Sequence, residues 1–174
     1  IKEKGVAKLS AFEIRVKDNP IAAMRAAMDG MAYFDGKYMR LSVDGELMMT
    51  DTDMEKSSNQ EFVNAANGEV LVAGLGIGLI IFNALNNPEV KHITIVEKYQ
   101  DVIDLVSPYF KDTRVSFICA DILEWRPEKG KKYDTIYFDI WPTICVDNLD
   151  EIKFLHNSFK SKLNRQNPDC WMDS

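Results

Sequence analysis

Three glycines at alternate positions, Gly74, Gly76 and Gly78, directly follow an apolar run at residues 70–73. Such a turn lets a ligand approach the main chain closely, because glycine has no Cβ and adopts left-handed backbone conformations easily. An apolar helical pattern begins at once, and the free N–H groups at a helix start attract anions and polar groups. Because glycine also serves packing in many strand-to-helix turns, the turn alone is a weak signal.

Acidic residues follow three further apolar runs and add chemistry to the glycine turn. Glu97 comes nineteen residues after Gly78, where nucleoside-binding folds place an acid for the ribose hydroxyls. Asp121 and Asp139 follow two later runs. Because the carboxyl ends of parallel strands meet at one edge of a sheet, we expect these acids and the glycine turn to share a ligand site. For each acid alone, a helix cap or a solvated loop is the alternative interpretation.

Strands and helices alternate in the part of the chain that must position these residues. This alternation predicts an α/β, Rossmann-like, mostly parallel sheet with right-handed crossovers and the strand order 3-2-1-4. Residues 167–174 supply a fifth strand at most. Strands are predicted at 69–73, 93–96, 114–118 and 133–138, and helices at 79–85, 99–109 and 147–163.

The first 67 residues are predicted to form an N-terminal extension with a β-hairpin, and residues 68–174 a Rossmann-like cofactor-binding domain. Strand patterns at 38–43 and 46–50 flank Asp44-Gly45, which is a strong hairpin signal. A further strand is predicted at 8–16. A helix is predicted from Pro20, with its apolar positions at Ile21, Met24, Ala27, Met28 and Met31, and another helix at 57–66.

We expect the hairpin and the acidic turn at residues 51–55 to lie over the carboxyl ends of the strands and to close one wall of the acceptor site. The alternative is a stabilising flap on the far edge of the sheet. The residues that would supply this wall are Met48, Met49, Asp51, Asp53 and Trp141. Asp51, Asp53 and Glu55 lack the glycine and distal glutamate of a calcium loop, so a solvated turn is the preferred interpretation.

Composition narrows the class of protein. A hydrophobic fraction of 46% and a charged fraction of 28% are ordinary for a soluble domain. The net charge of −6 argues against a nucleic acid partner, and we expect neither a membrane span nor a leader, since the sequence shows no such pattern. The cysteines form no CxxC pair and fit reduced thiols, which predicts a cytoplasmic protein. Three widely spaced cysteines and two distant histidines give no metal-binding pattern. A homo-oligomer remains possible.

The glycine spacing reads G-x-G-x-G, and Leu79 stands where a nicotinamide dinucleotide pattern wants its third glycine. The chain resembles the class I S-adenosylmethionine-dependent methyltransferases at residues 70–78, 95–97, 120–123 and 133–139. The resemblance implies that the turn from Gly74 to Gly78 lies against the methionine part of S-adenosylmethionine. It also implies that Glu97 binds the ribose hydroxyls, and that Asp121 binds the adenine amino group with Ile122 flanking the ring.

Within that superfamily, residues 41–45 and the segment leading to Val70 look most like the spermidine synthase-like branch. Three departures put aminopropyl transfer in doubt: Met48 stands about where that branch has a substrate-binding glutamine, residues 140–142 replace the second acid after Asp139, and the tyrosine expected near Ser57 is absent. The tetrad at 139–142 also differs from that of the amino-group DNA methyltransferases.

The predicted function is therefore methyl transfer from S-adenosylmethionine to an unidentified small-molecule or protein acceptor, with Asp139 as the candidate base. The alternatives are an aminopropyltransferase, a nicotinamide oxidoreductase, and a non-catalytic nucleoside-binding or interaction protein. Only ten residues follow Asn164, whereas the methyltransferase sheet normally has seven strands. The hairpin or a partner subunit must then help to build the acceptor pocket, or that pocket is incomplete.

Overall fold

The computed structural model describes residues 1–21, 24, 34–52, 59–141 and 145–174. Two sheets and the helices given below organise these residues, with short 3₁₀ turns at Val16–Asp18, Ser107–Tyr109 and Val146–Asn148. Pro20, Ile21 and Met24, the described residues of the helix predicted from Pro20, are also helical. The strands are β1 (Lys2–Lys4), β2 (Ala7–Ile14), β3 (Gly36–Val43), β4 (Glu46–Thr50), β5 (Gly68–Ala73), β6 (Val90–Glu97), β7 (Val115–Cys119), β8 (Thr135–Phe138) and β9 (Trp171–Asp173). The helices are α1 (Gln60–Ala65), α2 (Leu79–Leu85), α3 (Gln100–Val106) and α4 (Leu149–Phe159).

The larger sheet has the order β7-β6-β5-β8-β9, and all of its strand pairs are parallel. In order of appearance this is 3-2-1-4-5, so the predicted Rossmann-like order and the possible fifth strand are confirmed. The central strand β5 shows why: Val70, Leu71 and Val72 are each 0% exposed. A strand covered on both faces needs a continuous apolar run, which is the pattern that the sequence shows.

The smaller sheet is antiparallel, in the order β1-β2-β3-β4, and the predicted hairpin at Asp44-Gly45 is confirmed. Asp44 has φ 51° and Gly45 has φ 83°, so both turn residues are left-handed, as a two-residue hairpin with a mirror-image turn requires. Strand β1 was not predicted. Its sequence, Lys2-Glu3-Lys4, is charged and fully on the surface, so no apolar periodicity marks it.

The N-terminal sheet packs against the parallel sheet. Ala7 and Leu9 of β2 and Leu41 and Val43 of β3 are buried in the same apolar core as Val70. At the rim of this contact, the Val6 N–H donates to Asp101 Oδ2 over 3.1 Å, and Lys4 pairs with Asp104 at 3.3 Å. The division of the chain into parts at 1–67 and 68–174 stays a prediction.

Element ends differ from the predicted ones where tertiary contacts intervene. Helix α4 ends at Phe159 rather than near residue 163, because the chain after it turns back to the start of β8. There the Tyr133 N–H donates to Lys162 O over 2.9 Å, and the Asn164 N–H donates to Tyr133 O over 2.7 Å. Ala27, Met28 and Met31 of the helix predicted from Pro20, and the predicted residues Asp53, Glu55 and Pro142, lie outside the described residues.

The longest helix in the part of the chain that the structure describes has 11 residues. Within these same residues, no helix is long and apolar enough to cross a membrane.

Phe62 of α1 joins the helix before β5 to the parallel sheet. It is 1% exposed and stacks on Tyr137 with ring centroids 4.8 Å apart. We expect Phe62→Ala to lower the free energy of unfolding by about 3–5 kcal/mol, measured by urea titration, because the lost ring leaves a cavity. Phe154→Ala is the control; this ring is 48% exposed, and we expect a loss of less than about 1 kcal/mol. Equal losses in the two variants would contradict this account of the core.

Candidate functional site

A cavity of about 320 Å³ opens at the carboxyl ends of β5, β6, β7 and β8. Its wall brings together six of the seven residues that the sequence predicts for the site: Gly74, Gly76, Glu97, Asp121, Ile122 and Asp139. Gly78 is not part of this wall; it precedes the first residue of α2 and has φ 79°. The expectation that these strand ends meet at one place is therefore confirmed, whereas the role of each residue stays a prediction.

At each of the three glycines a different neighbouring residue leaves no room for a Cβ. A Cβ on Gly74, which has φ 96°, would collide with the carbonyl oxygen of Asp139. A Cβ on Gly76 would collide with the sulfur of Met49, and one on Gly78 would lie 2.6 Å from the ring of Phe110. Neighbouring protein atoms therefore occupy the position that a Cβ would take at each glycine, while Gly74 and Gly76 still line the cavity. At Gly76 that neighbour is the end of a flexible side chain, which a ligand can displace.

Glu97 ends β6 and ties the glycine turn to the next strand. Its Oε2 accepts from the Leu75 N–H over 2.9 Å, and its Oε1 accepts from the Tyr99 N–H over 2.9 Å. The residue is only 7% exposed. Burial raises the pKa of Glu97 above its ordinary value, although N–H donation from Tyr99, Leu75 and Lys98 works in the opposite direction. These three N–H donors leave the carboxylate about one acceptor position for a further donor.

Asp121 lies beyond the end of β7 and is held by two contacts. Its Oδ2 pairs with Lys98 Nζ at 2.9 Å, and its Oδ1 accepts from the Leu123 N–H over 3.0 Å. The hydrogen bond from Lys98 lowers the pKa of Asp121 below its ordinary value. Ile122 is 3% exposed and belongs to the core beside the cavity. A ligand donor that reaches Asp121 must share the carboxylate with Lys98, whose side chain is 60% exposed and is easily moved.

Asp139 follows β8 and is positioned through its backbone. Its N–H donates to Ala73 O over 2.8 Å, which continues the pairing of β5 and β8 by one residue. Its carbonyl oxygen lies against Gly74, and only a residue without a Cβ accommodates it there. Burial, and next the negative charge of Asp139, raise the pKa of Tyr137, the residue two positions earlier. Asp139 lines the same cavity as Gly74 and Glu97.

The hairpin forms one wall of the cavity, as predicted for its methionines. Met48 and Met49 of β4 and Leu41 and Val43 of β3 line it, with Trp141 from the far side. Asp51 does not line it; its Oδ1 instead accepts from the Met39 N–H over 2.7 Å and holds the strands of the hairpin together. Whether this wall contacts an acceptor stays a prediction.

Sequence reasoning missed two charged residues in the cavity wall, Lys98 and Glu151. Lys98 directly follows Glu97 in the sequence, so its place beside a predicted site residue could have indicated that it lines the site. Glu151 is in the first turn of α4, where its Oε2 accepts from the Trp141 Nε1–H over 2.9 Å. Nothing in the spacing between Asp139 and Glu151 signals this contact.

A second cavity, of about 790 Å³, lies at the opposite edge of the sheet, where the strands begin. The carboxylate of Asp134, in the wall of this cavity, accepts three hydrogen bonds. The donors are the Glu69 N–H at 2.8 Å and the side-chain amides of Asn164 and Asn167 at 2.7 and 3.0 Å. Burial alone would raise the pKa of Asp134, but these hydrogen bonds outweigh it and the pKa is lowered. Asp134 therefore fastens the end of the sheet that faces away from the candidate site.

Among the described residues, no three His, Cys, Asp or Glu side chains come together in a group that could hold a metal ion. The described residues of the cavity wall offer four carboxylates, one lysine and a largely apolar remainder.

Comparison with known proteins identifies the fold. No family model matches the chain. A polyamine aminopropyltransferase of Buchnera aphidicola subsp. Acyrthosiphon pisum is 28% identical over 137 aligned positions, and the match covers 67% of this chain and 48% of that protein. Spermidine synthase from Thermotoga maritima superposes with a TM-score of 0.55 at 19% identity, over 72% of this chain and 45% of that one.

The N-methyltransferase NodS from Bradyrhizobium japonicum WM9, solved with S-adenosyl-L-homocysteine, superposes with a TM-score of 0.51 at 15% identity. That match covers 66% of this chain and 59% of NodS. The chain thus has the Rossmann-like fold shared by S-adenosylmethionine-dependent methyltransferases and spermidine synthases, and the predicted resemblance is confirmed at the level of fold. It spans about half the length of the aminopropyltransferase and the spermidine synthase.

The different neighbours of Gly74 and Gly76 predict different costs of adding a methyl group. Both have positive φ, which costs an alanine about 1–3 kcal/mol. We expect Gly74→Ala to lower the free energy of unfolding by more than this amount, because its Cβ meets the backbone of Asp139. We expect the loss in Gly76→Ala to stay close to this amount, because the Met49 side chain can move away. Urea titration measures both.

The matched test of the Gly76 contact is the double variant Gly76→Ala/Met49→Ala. If Met49 is the obstacle, the second substitution restores part of the stability lost at Gly76, and it does not do so in the Gly74→Ala background. Equal effects in both backgrounds would rule out a specific contact.

Proposed function

We propose that this chain binds an S-adenosyl nucleoside in the cavity at the carboxyl ends of its parallel strands and transfers a methyl group from S-adenosylmethionine to a nucleophile. The single observation that carries the proposal is the convergence of the glycine turn, Glu97 and Asp121 on one cavity. Its volume, about 320 Å³, is within the range of small-molecule sites.

The buried carboxylate of Glu97 fits the ribose end of such a cofactor. Its orientation is fixed by the N–H groups of Leu75 and Tyr99, so little conformational entropy is lost when a diol donates to it. Because the site is shielded from water, hydrogen bonds to this charge are stronger than at the surface. Asp121 and Ile122 then serve the base, one by accepting a hydrogen bond and the other by apolar contact.

When bound, the sulfonium of the cofactor supplies an electrophilic carbon and leaves as part of a neutral thioether. The protein contributes mainly the positions of the reacting groups. Asp139, fixed by its backbone bond to Ala73, is the residue that accepts a proton from an acceptor that must lose one. The methionines of the hairpin exclude water from the apolar side of the same cavity.

Aminopropyl transfer is the second candidate, and two observations favour it. Among the described residues of the cavity wall, the charged ones are four acids and one lysine, a balance suited to cationic ligands. In addition, the curated relatives at 28% identity are polyamine aminopropyltransferases. Turnover measurements with S-adenosylmethionine and with its decarboxylated form, each against an amine acceptor, separate the two reactions.

Binding tests the proposed roles of the acids. We expect S-adenosylhomocysteine to raise the melting temperature of the protein and Glu97→Ala to weaken its binding about 10- to 100-fold, because charge-assisted hydrogen bonds are lost. Asp139→Ala should leave this affinity within about threefold and instead reduce turnover. Titration calorimetry measures the affinities. An equal loss of affinity in the two variants would show that the roles are wrongly divided, and no binding to the unmodified protein would overturn the cofactor assignment.

The raised pKa of Glu97 predicts a pH dependence of binding. Ribose hydroxyls donate to the ionised carboxylate, so affinity is full above the pKa of Glu97 in the folded protein and falls as pH drops through it. Because burial places that pKa above the ordinary value of 4.5, the loss begins above pH 4.5. We expect the dissociation constant of S-adenosylhomocysteine to rise as the pH is lowered from neutral toward 4.5. In Glu97→Gln this dependence should flatten; the same pH profile in that variant would assign the effect to another group.

A further inference from the structure

Basic residues collect where two separate segments of the chain meet. The segments are 126–132 and 160–165, which contain seven of the 21 lysines and arginines of the chain and one acid, Glu128. These seven cations are called the basic patch here: Arg126, Lys129, Lys131, Lys132, Lys160, Lys162 and Arg165. Because the whole chain has a net charge of −6, this concentration of positive charge contrasts with a strongly acidic remainder.

Hydrogen bonds between the two segments hold the basic patch together. Lys162 Nζ donates to Glu128 O over 3.3 Å, and Lys132 Nζ donates to Ser161 O. The acceptors are backbone carbonyls, which carry no net charge, so each ammonium group keeps its positive charge and further N–H donors. The contacts therefore bring cations together without neutralising them.

Few carboxylates balance the charge of the basic patch. Lys131 pairs with Glu69 at 2.6 Å. Among the described residues, the side chains of Lys129, Lys160 and Arg165 make no hydrogen bond or ion pair, and all three residues are exposed. The patch thus presents an excess of positive charge to the solvent.

We propose that the basic patch is a docking surface for a short acidic segment of another protein, a run of aspartate and glutamate side chains. The patch adjoins the start of β8, because the Tyr133 N–H donates to Lys162 O over 2.9 Å, whereas Asp139 follows the other end of that strand. A segment bound at the patch leaves the candidate site accessible, so this proposal does not depend on the proposed function.

The residue types of the basic patch fit carboxylates. Lys131 already binds the carboxylate of Glu69, so the chain itself supplies one example of this contact. Five of the seven cations are lysines, which attract anions as mobile point charges, whereas the planar fork of arginine is the group that best matches phosphate. One of the two arginines, Arg126, uses Nη1 to donate to three backbone carbonyls.

The charge of the rest of the chain limits the size of the partner. Outside the two segments, 26 acids outnumber 14 basic residues. A nucleic acid or an anionic membrane extends beyond the patch and meets repulsion from this acidic remainder, because such partners need broad positive potential. A short acidic segment stays on the patch and meets only its cations.

Fluorescence anisotropy with labelled deca-glutamate tests the proposal, and deca-glutamine is the neutral control peptide. We expect deca-glutamate to bind and deca-glutamine not to bind. The affinity for deca-glutamate should fall about tenfold between about 50 and about 300 mM salt, because salt screens exposed charges. In the triple variant Lys129→Glu/Lys160→Glu/Arg165→Glu it should fall about tenfold or more at the lower salt concentration. Circular dichroism checks that this variant stays folded.

The matched control is Lys17→Glu/Lys37→Glu/Lys111→Glu. It makes the same change of net charge at exposed lysines outside the basic patch. We expect its affinity for deca-glutamate to stay within about threefold of the original, because these charges are away from the bound peptide. An equal loss in the two triple variants would assign the effect to net charge and overturn the proposal.

Three further outcomes would overturn the proposal. The first is that deca-glutamate does not bind to the unmodified protein. The second is that deca-thymidylate or phosphatidylglycerol vesicles bind more tightly than deca-glutamate and lose affinity in the patch variant alone, which would assign the patch to nucleic acid or to a membrane. The third is that sedimentation velocity shows self-association of the unmodified protein that the patch variant abolishes, since a second copy of the chain would then occupy the patch.

Discussion

The close contact of Gly74 with Asp139 is the constraint on which the site depends. The Gly74 N–H donates to Val96 O over 2.9 Å on one side, and the Asp139 N–H donates to Ala73 O over 2.8 Å on the other. Three strand ends are thereby drawn together at a point where no Cβ fits. A methyl group on residue 74 would separate β8 from β5, and Asp139 would then leave the wall that it shares with Glu97.

Much of this arrangement could be predicted because the parallel sheet has a clear sequence pattern. Buried strands need continuous apolar runs, and a polar residue that ends such a run must lie at the edge where the strands finish. Glu97 and Asp139 were located by this rule. The packing around the glycines could not be predicted in the same way, since the neighbour of Gly76 is Met49, a residue from a different sheet.

The features that were not predicted have no distinctive pattern in the sequence around them. Strand β1 is a run of charged residues whose pairing with β2 is decided by its neighbours and not by its own pattern. The end of α4 is set by hydrogen bonds to Tyr133, some thirty residues earlier in the chain. Glu151 enters the cavity wall through a contact with Trp141 that depends on how the helix docks. The sequence pattern around these residues is the same as that of ordinary solvent-exposed segments, so it does not indicate their contacts.

The shared core of the two sheets has a consequence for how the chain is made. Ala7, Leu9, Leu41 and Val43 are synthesised before β5 exists, and their buried partners include Val70 and Ile95. Until those later strands emerge from the ribosome, the inner face of the N-terminal sheet has nothing to cover it and is exposed to aggregation or to chaperones. Slow synthesis through residues 44–70 would lengthen that exposure, so the yield of folded protein should respond to translation speed in this interval as well as to final stability.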